Sequence, residues 1–201
     1  MKANETLRTA LATYFEDNGF GRDGGYDDAW VDFELGPIPL PFPNSAGRKR
    51  AVRLHDLHHI VTGYATNTLG EFEISAWELG AGCKDFHTAR IINLGGMASG
   101  AFAAPFRTFH AFRRGRVSRT FYGETYESLL DEDVATARKT HVGEPRGSAS
   151  VGEVTAFVGL VVLGTVLGLA FAAVLLPFVP IGIVNVLRKR RAKAARAVAI
   201  G

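Results

Sequence analysis

The run His55-Asp56-Leu57-His58-His59, followed after eleven intervening residues by Glu71, holds the side chains in this sequence best suited to chemistry. Three imidazoles and two carboxylates fall within seventeen positions, and these are the donors that a borderline divalent metal such as zinc takes. His55 and His59 stand four apart, so on a helix their side chains share one face about a turn apart. Asp56 can ligate beside His55 or orient an imidazole from behind. On an uninterrupted helix Glu71 would be rotated away from that face. It returns only if the chain turns, and Asn67, Thr68 and Gly70 are residues that allow a turn. The constellation therefore predicts a helix, a short corner and a second helix that brings Glu71 back to the first.

The same residues admit plainer readings. Thr68-x-x-Glu71 has the form of a capping box, in which Glu71 bonds the backbone amide of Thr68. Two histidines four apart also occur on solvated helix faces. His58 points elsewhere on the helix and is expected at the surface or behind the metal ligands.

The elements that would position these groups read as helices. Glu5–Asn18 places Leu7, Leu11, Tyr14 and Phe15 on one face, with Asn18-Gly19 as a stop. Residues 19–50 look irregular, Gly-rich first (GFGRDGG) and then Pro-rich, and the prolines at 37, 39, 41 and 43 forbid a regular helix. Helical pattern returns over Val52–Ala65, Glu71–Leu79 and about Thr88 to Ala98, and Glu124–His141 reads as a final amphipathic helix. Trp77 and Glu78 follow the metal motif, and Trp77 is expected in the core rather than as a substrate platform. Strand alternation is scarce, so the fold class is all-α: a compact helical domain with a C-terminal membrane-anchoring helix or re-entrant hairpin. The expected divisions are an N-terminal helix with a Gly/Pro-rich segment (1–50), a metal-motif helical domain (51–145), a linker (146–153), the apolar segment (154–187) and a basic tail (188–201).

The net charge of +3 conceals two opposite parts. All 20 acidic residues precede Val154, which leaves residues 1–153 at about −3. Arg188, Lys189, Arg190, Arg191, Lys193 and Arg196 make the tail strongly basic. The calculated pI of 9.2 thus belongs to the tail and gives no support for a nucleic-acid-binding domain. A single cysteine, Cys83, excludes an intramolecular disulfide and fits a reducing compartment. The N-terminal residues carry acidic side chains and no cleavage pattern, so no secretory signal is expected.

Residues 154–187 contain no Asp, Glu, Lys, Arg or His. Val154–Leu176 alone supplies 23 residues, and a transmembrane helix needs roughly 20. Gly164-x-x-x-Gly168 is a candidate helix–helix contact. Pro177 and Pro180 should break or kink the helix, and the remainder is too short to cross alone. The basic cluster predicts a cytoplasmic C-terminus. A re-entrant hairpin would keep both ends on that side, so the domain is expected on the cytoplasmic face of the inner membrane.

HDLHHIVTGYATNTLGE resembles the signature of the ubiquinone (coenzyme Q) biosynthesis protein 4 family, in which His-Asp is followed by two residues, His, eleven residues and Glu. Thr62-Gly63-Tyr64 and Gly70 are similar to the family as well. ESLLDEDVATARKTHVGEP resembles its last helix, with a Leu-Leu pair, an acidic turn and an Arg. The likeness covers roughly residues 52–145. It implies an all-α domain at the membrane surface that removes the C1 carboxyl of a polyprenylated hydroxybenzoate precursor with oxidation at C1. Carried over by position, His55, Asp56, His59 and Glu71 would bind a divalent metal, zinc first among the candidates. The implied partners are a polyprenylated aromatic lipid, the membrane and other quinone-biosynthesis proteins.

The segment PFRTFHAFRRGRVSR interleaves phenylalanines with arginines. Phe106, Arg107, Phe109, Phe112 and Arg113 could lie on the bilayer, with arginines at phosphates and rings at the acyl boundary, or line a prenyl groove. A core stripe with a solvated basic end is the plainer reading. Beside a metal-dependent enzyme stands a second class, a scaffold that presents prenylated intermediates to partner enzymes around a structural metal. A third, the di-iron membrane desaturases and hydroxylases, shares the box His55-x-x-His58-His59. It needs about eight histidines, and this chain has six, with His87, His110 and His141 scattered.

Overall fold

The computed structural model describes residues 5–21, 24–27, 29–31, 34–35, 38–39, 42–180 and 183–184. Helices dominate them. In chain order they are α1 (Leu7–Asn18), α2 (Ala46–Thr62), α3 (Thr68–Ala81), α4 (His87–Ala103), α5 (Pro105–Arg116), α6 (Tyr126–Leu130), α7 (Val134–His141) and α8 (Val151–Leu175), with a 3₁₀ turn at Leu176–Phe178. The chain divides into two units. One comprises residues 1–27 and 46–168, and the other residues 28–45 and 169–201.

The first unit is the helical body. Leu7, Leu11 and Phe15 on α1 bury the face expected from their spacing, and they share a core with Leu54, Leu57 and Val61 of α2. Thr6 caps α1, and the strand-like backbone on either side of it pairs with Glu132 and Val134, which ties the N-terminus to the start of α7. A second apolar cluster holds Ala76, Met97, Ala111 and Phe112 of α3, α4 and α5, with Phe157, Leu160 and Val161 of α8 packed against it. α2 ends on unpaired carbonyls, as every helix does. Here two guanidinium groups take them: Arg138 donates to Ile60 O and Val61 O at 2.9 Å each, and Arg114 donates to Thr62 O at 3.0 Å. Cations at a helix C-terminus are also favoured by its dipole.

The second unit contains two short antiparallel ladders. β1 (Trp30–Val31) pairs with β4 (Phe42–Pro43), and β2 (Glu34–Leu35) pairs with β3 (Ile38–Pro39). The described residues of the stretch expected to be irregular thus include two short ladders, with Pro39 and Pro43 at strand ends, where a missing amide is tolerated.

Two further expectations change. The span Glu124–His141 is two helices, because Asp133 turns its carboxylate onto the Thr136 amide at 2.9 Å and starts α7 afresh. The capping box is not formed. Asn67 caps α3 by accepting from the Gly70 amide at 3.0 Å, and the Glu71 carboxylate faces α2 instead.

α8 is long and apolar enough to cross a membrane. It begins at Val151 and stops at Leu175, two residues before Pro177, whose ring cannot continue the hydrogen-bond ladder. Gly164 of the GxxxG pair lies against α4, whereas Gly168 meets nothing. The basic run 188–196, and with it the choice between a single span and a re-entrant hairpin, lies outside the described residues.

Candidate metal centre

α2 and α3 deliver the three donors through the corner foreseen between them. α2 stops at Thr62, Gly63 takes a positive φ of 78°, and five residues later α3 starts under the Asn67 cap. Gly70 makes the corner possible: a Cβ there would stand 1.9 Å from the Ala65 carbonyl oxygen. The backbone is thereby drawn close enough for Glu71, in the first turn of α3, to reach across to α2.

The donor atoms converge. His55 Nε2 lies 3.2 Å from His59 Nε2. The Glu71 carboxylate stands 3.4 Å from the first and 3.3 Å from the second. His59 is buried and His55 largely so, while the Glu71 side chain is 44% exposed, so the group opens to the outside along Glu71.

What lies behind the imidazoles decides how they can act. His59 Nδ1 is 2.9 Å from the Tyr64 carbonyl, and His55 Nδ1 is 2.8 Å from Glu78 Oε1. A carbonyl and a carboxylate only accept, so both Nδ1 atoms must donate. Each neutral ring then presents a bare lone pair at Nε2. Two such lone pairs and a carboxylate within 3.4 Å of one another repel unless a proton or a cation sits among them. A His₂Glu set backed by hydrogen-bond acceptors at the far ring nitrogens is how proteins hold a catalytic divalent metal, so these residues fit one.

Glu78 is the keystone of this arrangement. Its side chain is wholly buried, and four donors surround it. Oε1 accepts from His55 at 2.8 Å and from His58 at 2.7 Å, and Oε2 accepts from Asn93 and Tyr122 at 2.5 Å each. A buried charge is tolerated when every lone pair is used in this way. Burial favours the protonated acid, but His55 and His58 outweigh it and hold the Glu78 carboxyl well below the usual carboxylate range. For His55, burial disfavours the imidazolium. The facing charges of Glu78 and Glu71 overcome that penalty and raise its pKa well above the ordinary value. Glu71 is likewise pulled against burial by its bonds to His55 and His59, down to about 2.

His58 is not a surface group. It is fully buried, stacked on Phe121, and its Nε2 accepts from the Phe121 amide at 2.8 Å. Burial lowers its pKa, so it is a neutral ring that bonds Glu78 from behind the donor group.

Asp56 stands outside the converging group. Its carboxylate accepts from Tyr26 at 2.5 Å and faces the Tyr14 hydroxyl at 3.4 Å, and burial raises its pKa. The Tyr14 ring in turn stacks on His59 at 5.9 Å. Asp56 therefore braces α2 against α1 and the following loop, and it acts on the imidazoles through Tyr14 and through its charge.

The aromatic–basic segment forms α5 and divides by face. Phe112 is buried, and Phe109 and Phe112 meet Phe157 of α8 at 5.0 and 5.7 Å. Arg113 bonds Glu153 at 3.2 Å, and Arg107 pairs with Glu73. Phe106 alone of the three rings stands free, 87% exposed. Trp77 is core, as expected, with no exposure.

Glu78 is the functional residue that motif reading misses. The signal was present: Glu71 and Glu78 are seven apart, two turns on one face of α3. Its partners Asn93 and Tyr122 come from distant segments and carry no local signal. No protein-family model, curated protein or solved structure matches this chain, so the geometry of the site carries the functional argument.

Proposed function

We propose that this chain is a metal-dependent enzyme of ubiquinone assembly that replaces the C1 carboxyl of a polyprenylated hydroxybenzoate by hydroxyl at the membrane surface. The observation that carries the reading is the convergence of His55, His59 and Glu71 into one open donor group, in the spacing that resembles the ubiquinone biosynthesis protein 4 signature. The presence of a helix able to anchor the chain in a bilayer suits a substrate with a polyprenyl tail.

His55, His59 and Glu71 would hold the divalent cation, with zinc the first candidate for a His₂Glu set. Bound there, it would supply a Lewis acid beside the ring carboxylate and phenol. The chain's own residues set the conditions for this. Glu78 and the Tyr64 carbonyl fix both imidazoles with Nε2 toward the open side. Tyr14 stacks on one flank of the His59 ring. The partly exposed Glu71 leaves an approach for an amphipathic ring. In balance, an aromatic acid, dioxygen and two reducing equivalents with two protons give a phenol, carbon dioxide and water, the electrons coming from a reduced flavin or nicotinamide donor. With a basic tail on the cytoplasmic side and a re-entrant hairpin before it, the domain would lie on the cytoplasmic face, where other quinone-biosynthesis proteins would exchange intermediates with it.

The test is a mass-spectrometric lipid profile of source cells lacking the gene, restored with wild type or with Glu71→Ala. Accumulation of a prenylated, carboxyl-retaining ring that only wild type clears supports the enzyme. Clearance by both chains favours a scaffold that presents prenylated intermediates to partner enzymes. An unchanged quinone pool overturns the quinone assignment.

A further inference from the structure

α8 does not leave the helical body as a free stalk. Its first turns are pinned by the Arg113–Glu153 pair, and Phe157 packs on Phe109 and Phe112. Farther along, Gly164 lies so close to α4 that a Cβ would stand 2.2 Å from the Leu94 carbonyl oxygen and 3.1 Å from the Ala98 side chain. Gly164 is ten residues beyond Val154, where the charge-free stretch begins. At about 1.5 Å per residue that is about 15 Å along the helix, half of a hydrocarbon core roughly 30 Å thick. If α8 spans a bilayer from Val154, the middle of α4 is carried into the membrane with it.

The surface of α4 is built for that position. From Ile91 to Phe106 the chain has no Asp, Glu, Lys, Arg or His. Arg90 and Arg107 bound the stretch, and both are held by the protein, Arg90 on the Lys84 carbonyl and Arg107 on Glu73, so the charge stays at its ends. Ile91 and Phe102 are eleven residues apart, about three turns, and so share one stripe. That stripe borders the Leu94–Ala98 face that meets α8. Ile91, Ile92, Phe102 and Phe106 are 61%, 47%, 74% and 87% exposed. Four large apolar side chains in water, three on α4 and Phe106 at the start of α5, beside a membrane anchor, make a surface that needs a cover.

We propose that the outer face of α4, from Ile91 to the Phe102–Phe106 corner, is a lipid-facing surface immersed beside α8, with phospholipid acyl chains as its occupant. The body is then seated in the bilayer along one helix, and this holds whatever substrate the metal centre serves.

The test uses the full chain in phosphatidylcholine–phosphatidylglycerol vesicles. Nitroxide labels are placed at single cysteines, Ile92→Cys, Phe102→Cys, Val166→Cys on α8 and Lys139→Cys on α7, in a Cys83→Ser background. Relaxation by dioxygen is compared with relaxation by a water-soluble nickel chelate. The expected result is that positions 92 and 102 favour dioxygen several-fold, as 166 does, while 139 favours the chelate. Chelate-dominated relaxation at 92 and 102 with 166 still in lipid overturns the immersed face. Chelate-dominated relaxation at 166 removes α8 from the bilayer and overturns the inference at its premise. Dipolar broadening at 92 and 102 that vanishes on dilution with unlabelled protein would make a second copy the cover, and overturns it too.

Discussion

The α2–α3 pocket and the outer face of α4 break the ordinary distribution of polarity in opposite directions. The first buries ionisable groups, and the second exposes large apolar ones. In the pocket nearly every donor and acceptor is answered by the protein itself. Glu78 has four donors, and His58 bonds at both nitrogens. Among its ionisable side chains the point left open is where His55 Nε2, His59 Nε2 and Glu71 face one another. On the outer face of α4 and its corner with α5 the large side chains are left uncovered: Ile91, Phe102 and Phe106 protrude from the body. The contrast teaches where to look for what the polypeptide lacks. An unmet cluster of lone pairs calls for a cation, and an unmet apolar stripe calls for hydrocarbon.

The strongest way to break the pocket is at its buried carboxylate. Glu78→Ala leaves His55, His58, Asn93 and Tyr122 facing an empty space without their shared acceptor. Removing one member of a buried charged network typically costs about 3–5 kcal/mol, and that loss is expected in denaturant unfolding of the detergent-solubilised protein. Glu78→Gln should fall between this variant and wild type, because an amide still accepts at its oxygen but opposes Asn93 or Tyr122 with its NH₂. If both variants unfold like wild type, Glu78 is not the support of the site. The corresponding change on the α4 face, Phe102→Ser, is expected to leave unfolding nearly unaltered, since that side chain is 74% exposed.

The contrast also explains what could be read in the chain beforehand. Periodicity found α1 to α4 because each buries a face against neighbours, and burial is what periodicity records. The corner at Asn67 and Gly70 was legible because only a few residue types permit it. The division of Glu124–His141 was not, since Asp133 continues the helical pattern as easily as it caps α7. Asp56 shows the limit of motif reading. Its adjacency to His55 is a property of the string, but its carboxylate direction follows from Tyr14 and Tyr26 on other elements. The exposure of Ile91 and Phe102 was hidden for a related reason: a stripe of apolar residues looks the same whether it faces protein or lipid.

Next in size is the loss of Glu71. Glu71→Ala is expected to weaken zinc binding by about 100-fold or more, since it removes a ligand and outer partners alone are worth about 10–100-fold. Stability of the metal-free protein should change by about 1 kcal/mol or less, because the carboxylate is partly exposed to solvent. Isothermal titration with zinc, paired with unfolding in chelator, separates the two quantities. Equal zinc affinity in wild type and variant would remove the metal centre from the protein.

A smaller effect follows from pH. The raised pKa of His55 means that, without metal, its stabilising interaction with Glu78 and Glu71 is fully present below its ordinary value of 6.5 and fades as pH rises through the folded value. Zinc needs the same nitrogen without its proton. The zinc-induced rise in Tm should therefore be least in acid and grow as pH climbs, while His58, which is alike in both forms, cancels from the difference. A rise in Tm that does not change with pH would mean that zinc binds without displacing the His55 proton.

The smallest expected effect is the sharpest question about the donor set. Asp56 belongs to the four-residue spacing, yet its oxygens are engaged with Tyr26 and Tyr14 and stay outside the converging group. Asp56→Asn keeps an acceptor for the Tyr26 hydroxyl and removes a carboxylate whose ionised form burial already disfavours. Its influence on the metal is indirect, through Tyr14 stacked on His59 and through its charge near both imidazoles. Zinc affinity is thus expected to fall by no more than about tenfold, the lower end of what outer partners contribute, against about a hundredfold for Glu71→Ala. If the two losses are equal, Asp56 swings onto the metal when it binds, and α1 must release it to do so.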